Sequence, residues 1–285
     1  MFQHYRERVP VIFCYTSHMN KLSLLVVTDL TNGAEAEDIL ISDFLRRNFT
    51  VVLCHPADCE PFEDSVDRIL IRNYWNSARY GESEPWYDRW RTKPQLPIHD
   101  DLYMKQGYGK DYLLELYASG FPVIPSIDSI ESLDALPSSE AYFIKPKDGY
   151  SAINAREVSR MELLELKPQH YLIQSFVDFE YEISFYYLDK KLQYTLYAPD
   201  KAERWGLAEL EPSADDIAFA ERFVQWNKQT YGIERIDACR LRDGSLQLVE
   251  ITDQGGAYLS VPLLSEKTRH TFLSNLSSSL SSGVK

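Results

Sequence analysis

Two carboxylates, Asp237 and Glu250, lie on either side of an Asp-Gly dipeptide in the stretch GIERIDACRLRDGSLQLVEITDQ, residues 232–254. Asp-Gly between two runs of β-formers is a strong short-range hairpin signal, because these residues best tolerate the positive φ angles of a tight turn. The pattern predicts strands over 233–241 and 246–252. With Asp243 and Gly244 as the turn, Arg242 pairs with Ser245, and counting back sets Asp237 directly opposite Glu250. Opposed side chains on an antiparallel pair have Cβ atoms ~4.5–5.5 Å apart, and like charges there repel unless something cationic lies between them. A divalent metal with oxygen ligands is one answer. The period-2 rule puts Arg235 and Thr252 on the same face, so an ion pair between Arg235 and one carboxylate on a solvated face is another. The hairpin alone leaves both open. A three-residue turn would slip the register by one and send the two acids to opposite faces.

Around this hairpin the chain alternates strand and helix patterns. Residues 21–29 read as a buried strand, 34–47 as a helix with Ile39, Leu40, Phe44 and Leu45 on or near one face, and 50–54 and 68–71 as further strands. Strands alternating with a helix imply a parallel α/β sheet. Arg72 closes one of these strands at its carboxyl end, where open α/β sheets place ligands, which makes it a candidate anion contact beside a plain packing role. A helix is predicted from Lys110 to Tyr117 with Gly120 as its C-cap glycine. Strands follow at 141–145 and 171–177, then a hairpin of 182–188 and 192–198. Ser213 to Asp216 resembles a capping box opening a helix that runs to Tyr231. Residues 259–276 read as helical in part. The Ser-rich tail 277–285 is too polar to bury anything and is expected to be disordered.

The 285 residues carry a net charge of −13, which opposes binding to phosphate backbones, and no dense Lys/Arg run overcomes it, so nucleic acid is not an expected partner. The 4 cysteines form no C-x-x-C pair and the 6 histidines are scattered singly, which argues against structural zinc and suits a reducing compartment. No apolar run approaches the ~20 residues of a membrane span. A soluble cytoplasmic protein is expected, with no membrane partner and with homodimer formation left open.

The order of these features resembles the ATP-grasp superfamily of ligases over residues 100–262. The segments that carry the likeness are YFIKP at 142–146, YLIQSFV at 171–177, EIS at 182–184, RID at 235–237 and LVE at 248–250. The part before them, with LIRNYW at 70–75, GKDYLLEL at 109–116 and GFPVIP at 120–125, is similar to small bacterial carboxylate-amine ligases of the cycloserine-forming and glutathione synthetase-like kind.

The resemblance implies an N-terminal parallel α/β domain (19–99) after an extension (1–18), and two ATP-grasp subdomains (100–175 and 176–276) whose antiparallel sheets hold ATP between them. It further implies that Lys110 and Lys145 reach the phosphates and base edge of ATP, that Gly149, Tyr150 and Ser151 form the loop over the phosphates, and that Gln174, Phe176 and Val177 form the adenine hinge. Glu182 would contact the ribose. Asp237 and Glu250 would ligate Mg2+ (or Mn2+) carried by ATP. Many members have asparagine two positions after the Glu; Thr252 stands here, which leaves the third ligand doubtful. Arg235 would stabilise the transferring phosphoryl group. Lys201 and Arg204 are further candidates for substrate contacts. The implied activity is an ADP-forming, carbon-nitrogen bond-forming ligase working through an acyl phosphate on small-molecule or peptide carboxylates and amines. A phosphotransferase and a non-catalytic nucleotide-binding protein are the alternatives.

Overall fold

The computed structural model describes residues 21–30, 34–73, 89–100, 102, 105, 109–147, 154–166, 170–203, 205–253 and 255–282. The predicted extension 1–18, the loop residues Gly149, Tyr150 and Ser151, and Arg204 lie outside them. The chain divides into two compact units, one of 1–101 with 254–285 and one of 102–253.

In the first unit a parallel sheet of order β2-β1-β3 is built from β1 (Leu22–Val27), β2 (Phe49–Cys54) and β3 (Arg68–Ile71). The helices of this part are α1 (Ala36–Leu45) and the single turn α2 (Glu60–Glu63). The parallel α/β expectation holds here, but the buried side of α1 is not the predicted one. Glu37, Asp38, Ile41, Ser42 and Leu45 are buried, while Ile39 is 47% exposed. Two acids turn inward because a buried arginine, Arg72, meets them there.

The second unit runs through α3 (Tyr112–Ala118), β4 (Ser126–Ile127), β5 (Ala141–Pro146), β6 (Arg156–Ser159), α4 (Arg160–Leu166) and β7 (Tyr171–Ser175). It continues with β8 (Phe179–Leu188), β9 (Lys191–Tyr197), β10 (Ala208–Glu209), α5 (Ala214–Asn227), β11 (Ile233–Leu241) and β12 (Leu246–Asp253). The strands form two antiparallel sheets, β4-β7-β5-β6 and β10-β9-β8-β11-β12. One face of the larger sheet, with Ile183, Phe185, Ile236, Ala238, Leu248 and Ile251, packs in one core with Phe219 and Phe223 of α5 and Leu113 and Leu116 of α3. The predicted capping box is present: Ser213 Oγ accepts from the Asp216 amide at 3.2 Å, and Asp216 Oδ2 accepts from the Ser213 amide at 3.1 Å.

Helix α6 (Glu266–Ser282) returns to the first unit. This corrects two expectations. Residues 254–276 do not group with the preceding sheet, and the serine run is helical as far as Ser282. Phe272, Leu273, Leu276 and Leu280 bury one side of the helix, Asn48 Nδ2 donates to Ser277 Oγ at 2.8 Å, and Arg68 Nε donates to the Leu280 carbonyl at 2.8 Å. Serines at the intervening positions are small enough to let those side chains pack. Among the described residues no helix is long and apolar enough to cross a membrane.

Candidate functional site

The polar face of the five-stranded sheet is centred on β11. Asp237 pairs with Glu250 of β12 and with Ser184 of β8; Arg235 pairs with Thr252 and Tyr186; Cys239 pairs with Glu182. Alternation along each strand therefore gathers Arg235, Asp237, Thr252, Glu250, Ser184 and Glu182 on one side, opposite the side packed on α5.

The acid pair arrives by a different route from the simple count. The turn holds three residues, 242–244, with the Leu241 amide donating to the Ser245 carbonyl at 2.9 Å and Gly244 at φ +84°. The Gly244 amide donates back to the Leu241 carbonyl at 2.9 Å, so a left-handed residue closes a three-residue loop, and the loop slips the lower ladder by one, pairing Ala238 with Leu248. A β-bulge then inserts Val249 without a partner between Asp237 and Ala238, and the slip is cancelled. Asp237 faces Glu250 after all.

Cations crowd these acids. Arg235 Nε donates to both Asp237 oxygens, at 2.8 and 3.0 Å, and its Nη2 to Oδ2 at 2.8 Å; Ser184 Oγ donates to Oδ1 at 2.6 Å. Thr252 Oγ1 stands 3.4 Å from both the Arg235 Nη2 and Asp237 Oδ2. Burial works against the Arg235 charge, but Asp237 and its neighbours outweigh it and hold the guanidinium's pKa above the ordinary value. Lys110 Nζ lies 3.3 Å from Glu250 Oε1. Lys145 Nζ donates to the carbonyl of Val249 at 3.1 Å, so the bulge also supplies the acceptor for the second lysine. Burial pushes the Lys145 pKa down to about 8, with Lys110 adding repulsion and Glu250 opposing both. For Glu250 burial raises the pKa, yet Lys110, Lys145 and Arg235 together hold it below the ordinary glutamate value. Both lysines are buried, which excludes a solvated-surface role for Lys110.

Two residues that sequence reasoning passed over set this arrangement. Gly109, at φ +83°, brings the chain so close to Lys147 that a Cβ there would sit 3.2 Å from the Lys147 carbonyl oxygen; the glycine lets the backbone pass and present Lys110. Its place before a lysine was the available signal. Tyr112 Oη accepts from the Ile251 amide at 2.7 Å, between Glu250 and Thr252; nothing local in the sequence announces that contact.

At the other end of the site, Gln174 is buried and donates its Nε2 to Ser126 Oγ at 2.7 Å, while Ser126 spends its own proton on the Ile124 carbonyl at 2.7 Å. Ser126 can only accept from Gln174, which fixes the amide orientation and makes Oε1 the remaining acceptor end. Phe176 is 44% exposed and Val177 half-buried, an apolar rim beyond β7. Glu182 acts electrostatically on both Lys145 and Cys239.

Two predicted substrate contacts already have protein partners. Arg72 is fully buried in the first unit and saturated there: its Nη2 meets Glu37 at 2.5 Å, its Nε meets Asp38 at 3.2 Å and its Nη1 donates to the Ala257 carbonyl at 2.9 Å. A guanidinium held by two carboxylates and a carbonyl at no solvent exposure serves the core of this unit. Lys201 is exposed and pairs with Asp178 at 3.0 Å, a surface ion pair.

The donor chemistry fits magnesium of one kind only. Among the described residues no group of three or more His, Cys, Asp or Glu side chains is placed to hold a metal ion, so a closed protein cage is absent. Two opposed carboxylates with a nearby hydroxyl instead match an ion that keeps waters and takes its other oxygens from phosphates. Manganese prefers the same hard oxygens.

No sequence-family model and no curated protein matches the chain. Solved structures do. D-cycloserine synthetase DcsG superposes with a TM-score of 0.71 at 17% identity, covering 90% of this chain and 99% of that one. The D-alanine–D-alanine ligase of Bacillus anthracis, complexed with ATP, gives 0.63 at 16% identity over 92% and 95%. The ATP-grasp ligase PsnB, complexed with a precursor variant, Mg and ADP, gives 0.62 at 13% identity over 93% and 99%. The chain has the fold of the ATP-grasp ligases.

Proposed function

We propose that the protein is an ATP-dependent carboxylate-amine ligase that works through an acyl phosphate. The observation that carries this reading is the opposed pair Asp237 and Glu250 with Arg235, Lys110 and Lys145 converging on it. Two acids and three cations on one patch suit a polyanion that brings its own divalent ion, and the fold is that of proteins solved with ATP or with Mg and ADP.

In this reading Lys110 and Lys145 hold ATP phosphate oxygens as flexible point charges, and the loop with Gly149, Tyr150 and Ser151 covers them. Gln174 accepts from the adenine amino group, Phe176 and Val177 line the base, and Glu182 accepts from the ribose hydroxyls. Asp237 and Glu250 would hold Mg2+, which would neutralise charge on the phosphates; Thr252 Oγ1, 3.4 Å from Asp237 Oδ2, stands where many members place an asparagine. The substrate carboxylate oxygen bonds to the γ-phosphorus as ADP leaves, and Arg235 stabilises the charge on the group in flight. The amine nitrogen then bonds to the acyl carbon, the acyl C–O bond to phosphate breaks, and the nitrogen's proton leaves with the phosphate, giving the amide. The chain contributes position and charge, and no side-chain nucleophile is needed.

The substrates are small-molecule or peptide carboxylates and amines, in keeping with neighbours that include D-cycloserine synthetase and PsnB with its precursor. The buried free thiols Cys54, Cys59 and Cys239 suit a reducing, cytoplasmic setting.

The test is a panel of amino acids and short peptides, offered as carboxylate and amine, with ADP and phosphate release measured. Amine-dependent release that Asp237→Asn and Glu250→Gln each abolish is expected. Release that needs no amine and leaves a phosphorylated product would make the protein a phosphotransferase; full activity in both variants would remove the assigned site.

A further inference from the structure

We propose that Tyr112 is a positioning residue for the acid site: its hydroxyl holds both backbone polar groups of Ile251, the one residue that separates Glu250 from Thr252. The proposal rests on the ligase reading in so far as those two side chains meet a nucleotide-borne cation.

β12 is an edge strand of its sheet, so every backbone group on its outer side needs a partner that no neighbouring strand provides. The chain serves these groups one by one. The Leu248 amide donates to the Pro122 carbonyl at 2.9 Å, and the Leu248 carbonyl accepts from the Ile124 amide at 3.2 Å. The Val249 carbonyl takes Lys145. At Ile251 backbone gives way to a side chain: Tyr112 Oη accepts from the amide at 2.7 Å and lies 3.2 Å from the carbonyl as donor. One phenol stands where a strand would be.

Its reach is short and its aim is fixed. The ring is buried and packs against Trp226 with centroids 5.9 Å apart. Tyr112 follows Lys110 by two residues, and Lys110 Nζ is the charge partner of Glu250 at 3.3 Å. A single short segment thus supplies both the countercharge of Glu250 and the anchor of the peptide beside it. Ile251 points to the apolar core with Ile236 opposite, so holding its backbone sets where Glu250 and Thr252 project on the other face. An ordinary core tyrosine would lend stability alone; this one sets the spacing of ligands.

Tyr112→Phe separates the two roles, with Phe223→Leu in the same core as a control for stability loss. Mn2+ binding in the presence of ADP is followed by paramagnetic resonance, ADP binding without metal by calorimetry, and unfolding by heat. Removing a hydrogen-bond partner of a ligand side chain weakens metal binding by about 10–100-fold; Tyr112 acts one step further back, on the backbone between two ligands, and a loss of about tenfold is expected in Tyr112→Phe, with metal-free ADP affinity unchanged and Phe223→Leu binding Mn2+ as wild type does. Wild-type Mn2+ affinity in Tyr112→Phe, or an equal loss in the control, would overturn the proposal. Amide hydrogen exchange decides the matter even if the wild type binds no metal, an outcome that would count against the ligase reading instead. Protection lost at residues 250–252 and kept on β8 supports the positioning role, and protection unchanged at 250–252 refutes it.

Discussion

Asp237 stands opposite Glu250 because Val249 stands opposite nothing. The three-residue turn displaces the ladder by one residue and the bulge restores it, so two departures from regular pairing together give the register that a tight two-residue turn would have given. Without the bulge, Val249 would occupy the site face and Glu250 the core. The same inserted residue turns its carbonyl to Lys145, which ties the register of the acids to the seat of a lysine.

Gly244 is the first place to test this. It sits at φ +84° with no atom within 4 Å of an added Cβ, so alanine there meets conformational strain and no clash. Gly244→Ala is expected to lose about 1–2 kcal/mol of stability, read as a lower urea midpoint at unchanged slope. Gly244→Asn should lose less, since asparagine tolerates the left-handed region. Nucleotide binding should survive in both, because the bulge and not the turn seats Glu250 and Lys145.

Arg72 yields the second prediction. Glu37 and Asp38 meet its guanidinium, and both are buried; Thr28 Oγ1 and Asn73 Nδ2 also donate to Asp38, at 2.6 and 2.8 Å, and the Ser260 amide donates to Glu37 at 2.8 Å. Arg72→Met strips the cation from two buried acids, a change that costs about 3–5 kcal/mol when one partner of a buried pair is removed. Thermal unfolding should show the loss. A weakened substrate KM with unchanged stability would restore the substrate-anion role that the burial of Arg72 argues against.

What the sequence disclosed was local. The strand limits around the acid hairpin, the Ser213 capping box and the C-cap at Gly120 follow from turn residues, alternation and side-chain capping, all of which act within a few positions. Tertiary placement was not legible. Whether Arg72 meets a ligand or Glu37 depends on a helix folding back 35 residues away in the chain, and the inward face of α1 is set by that same encounter. Composition alone points the serine tail toward disorder, yet Leu273, Leu276 and Leu280 keep helical spacing through it and are buried. The bulge at Val249 leaves no mark in residue type, and a count from a two-residue turn gives the observed acid pairing only because the longer turn and the bulge cancel.

Lys145 makes the site sensitive to pH. Its pKa falls from 10.5 to about 8, burial being the main cause. A difference of that size corresponds to roughly 3 kcal/mol working against the charged form in the folded chain. Stability on this account rises between pH 8 and 10.5, where the unfolded chain still binds the proton and the folded one has released it. Phosphate needs the ammonium, so ATP affinity should fall by about tenfold per pH unit above pH 8. Lys145→Arg, which stays charged throughout, should remove the decline. Calorimetric titration of ATP from pH 7 to 9.5 reads both, and a flat wild-type profile would refute the assignment of Lys145 to the phosphates.

Glu234 carries the opposite sign. It is buried on the core side of β11, opposite Tyr187 of β8; Asn227 Nδ2 donates to its Oε1 at 2.6 Å, while Oε2 and the Tyr187 hydroxyl find no hydrogen-bond partner among the described residues. Burial raises its pKa from 4.5 to about 7, with the Asn227 hydrogen bond pulling the other way. The folded chain therefore binds a proton that the unfolded chain has lost between those values. This contribution to stability is fully present below pH 4.5, fades as pH rises, and is gone above 7. Glu234→Gln keeps the shape and the Asn227 contact, once the amide turns its oxygen to Asn227, without a charge to bury. It should match wild type near pH 4.5 and exceed it by roughly 3 kcal/mol at pH 8. Urea unfolding at the two pH values decides it: equal gains at both would place the benefit in packing, and no gain at pH 8 would show that Glu234 ionises there without strain.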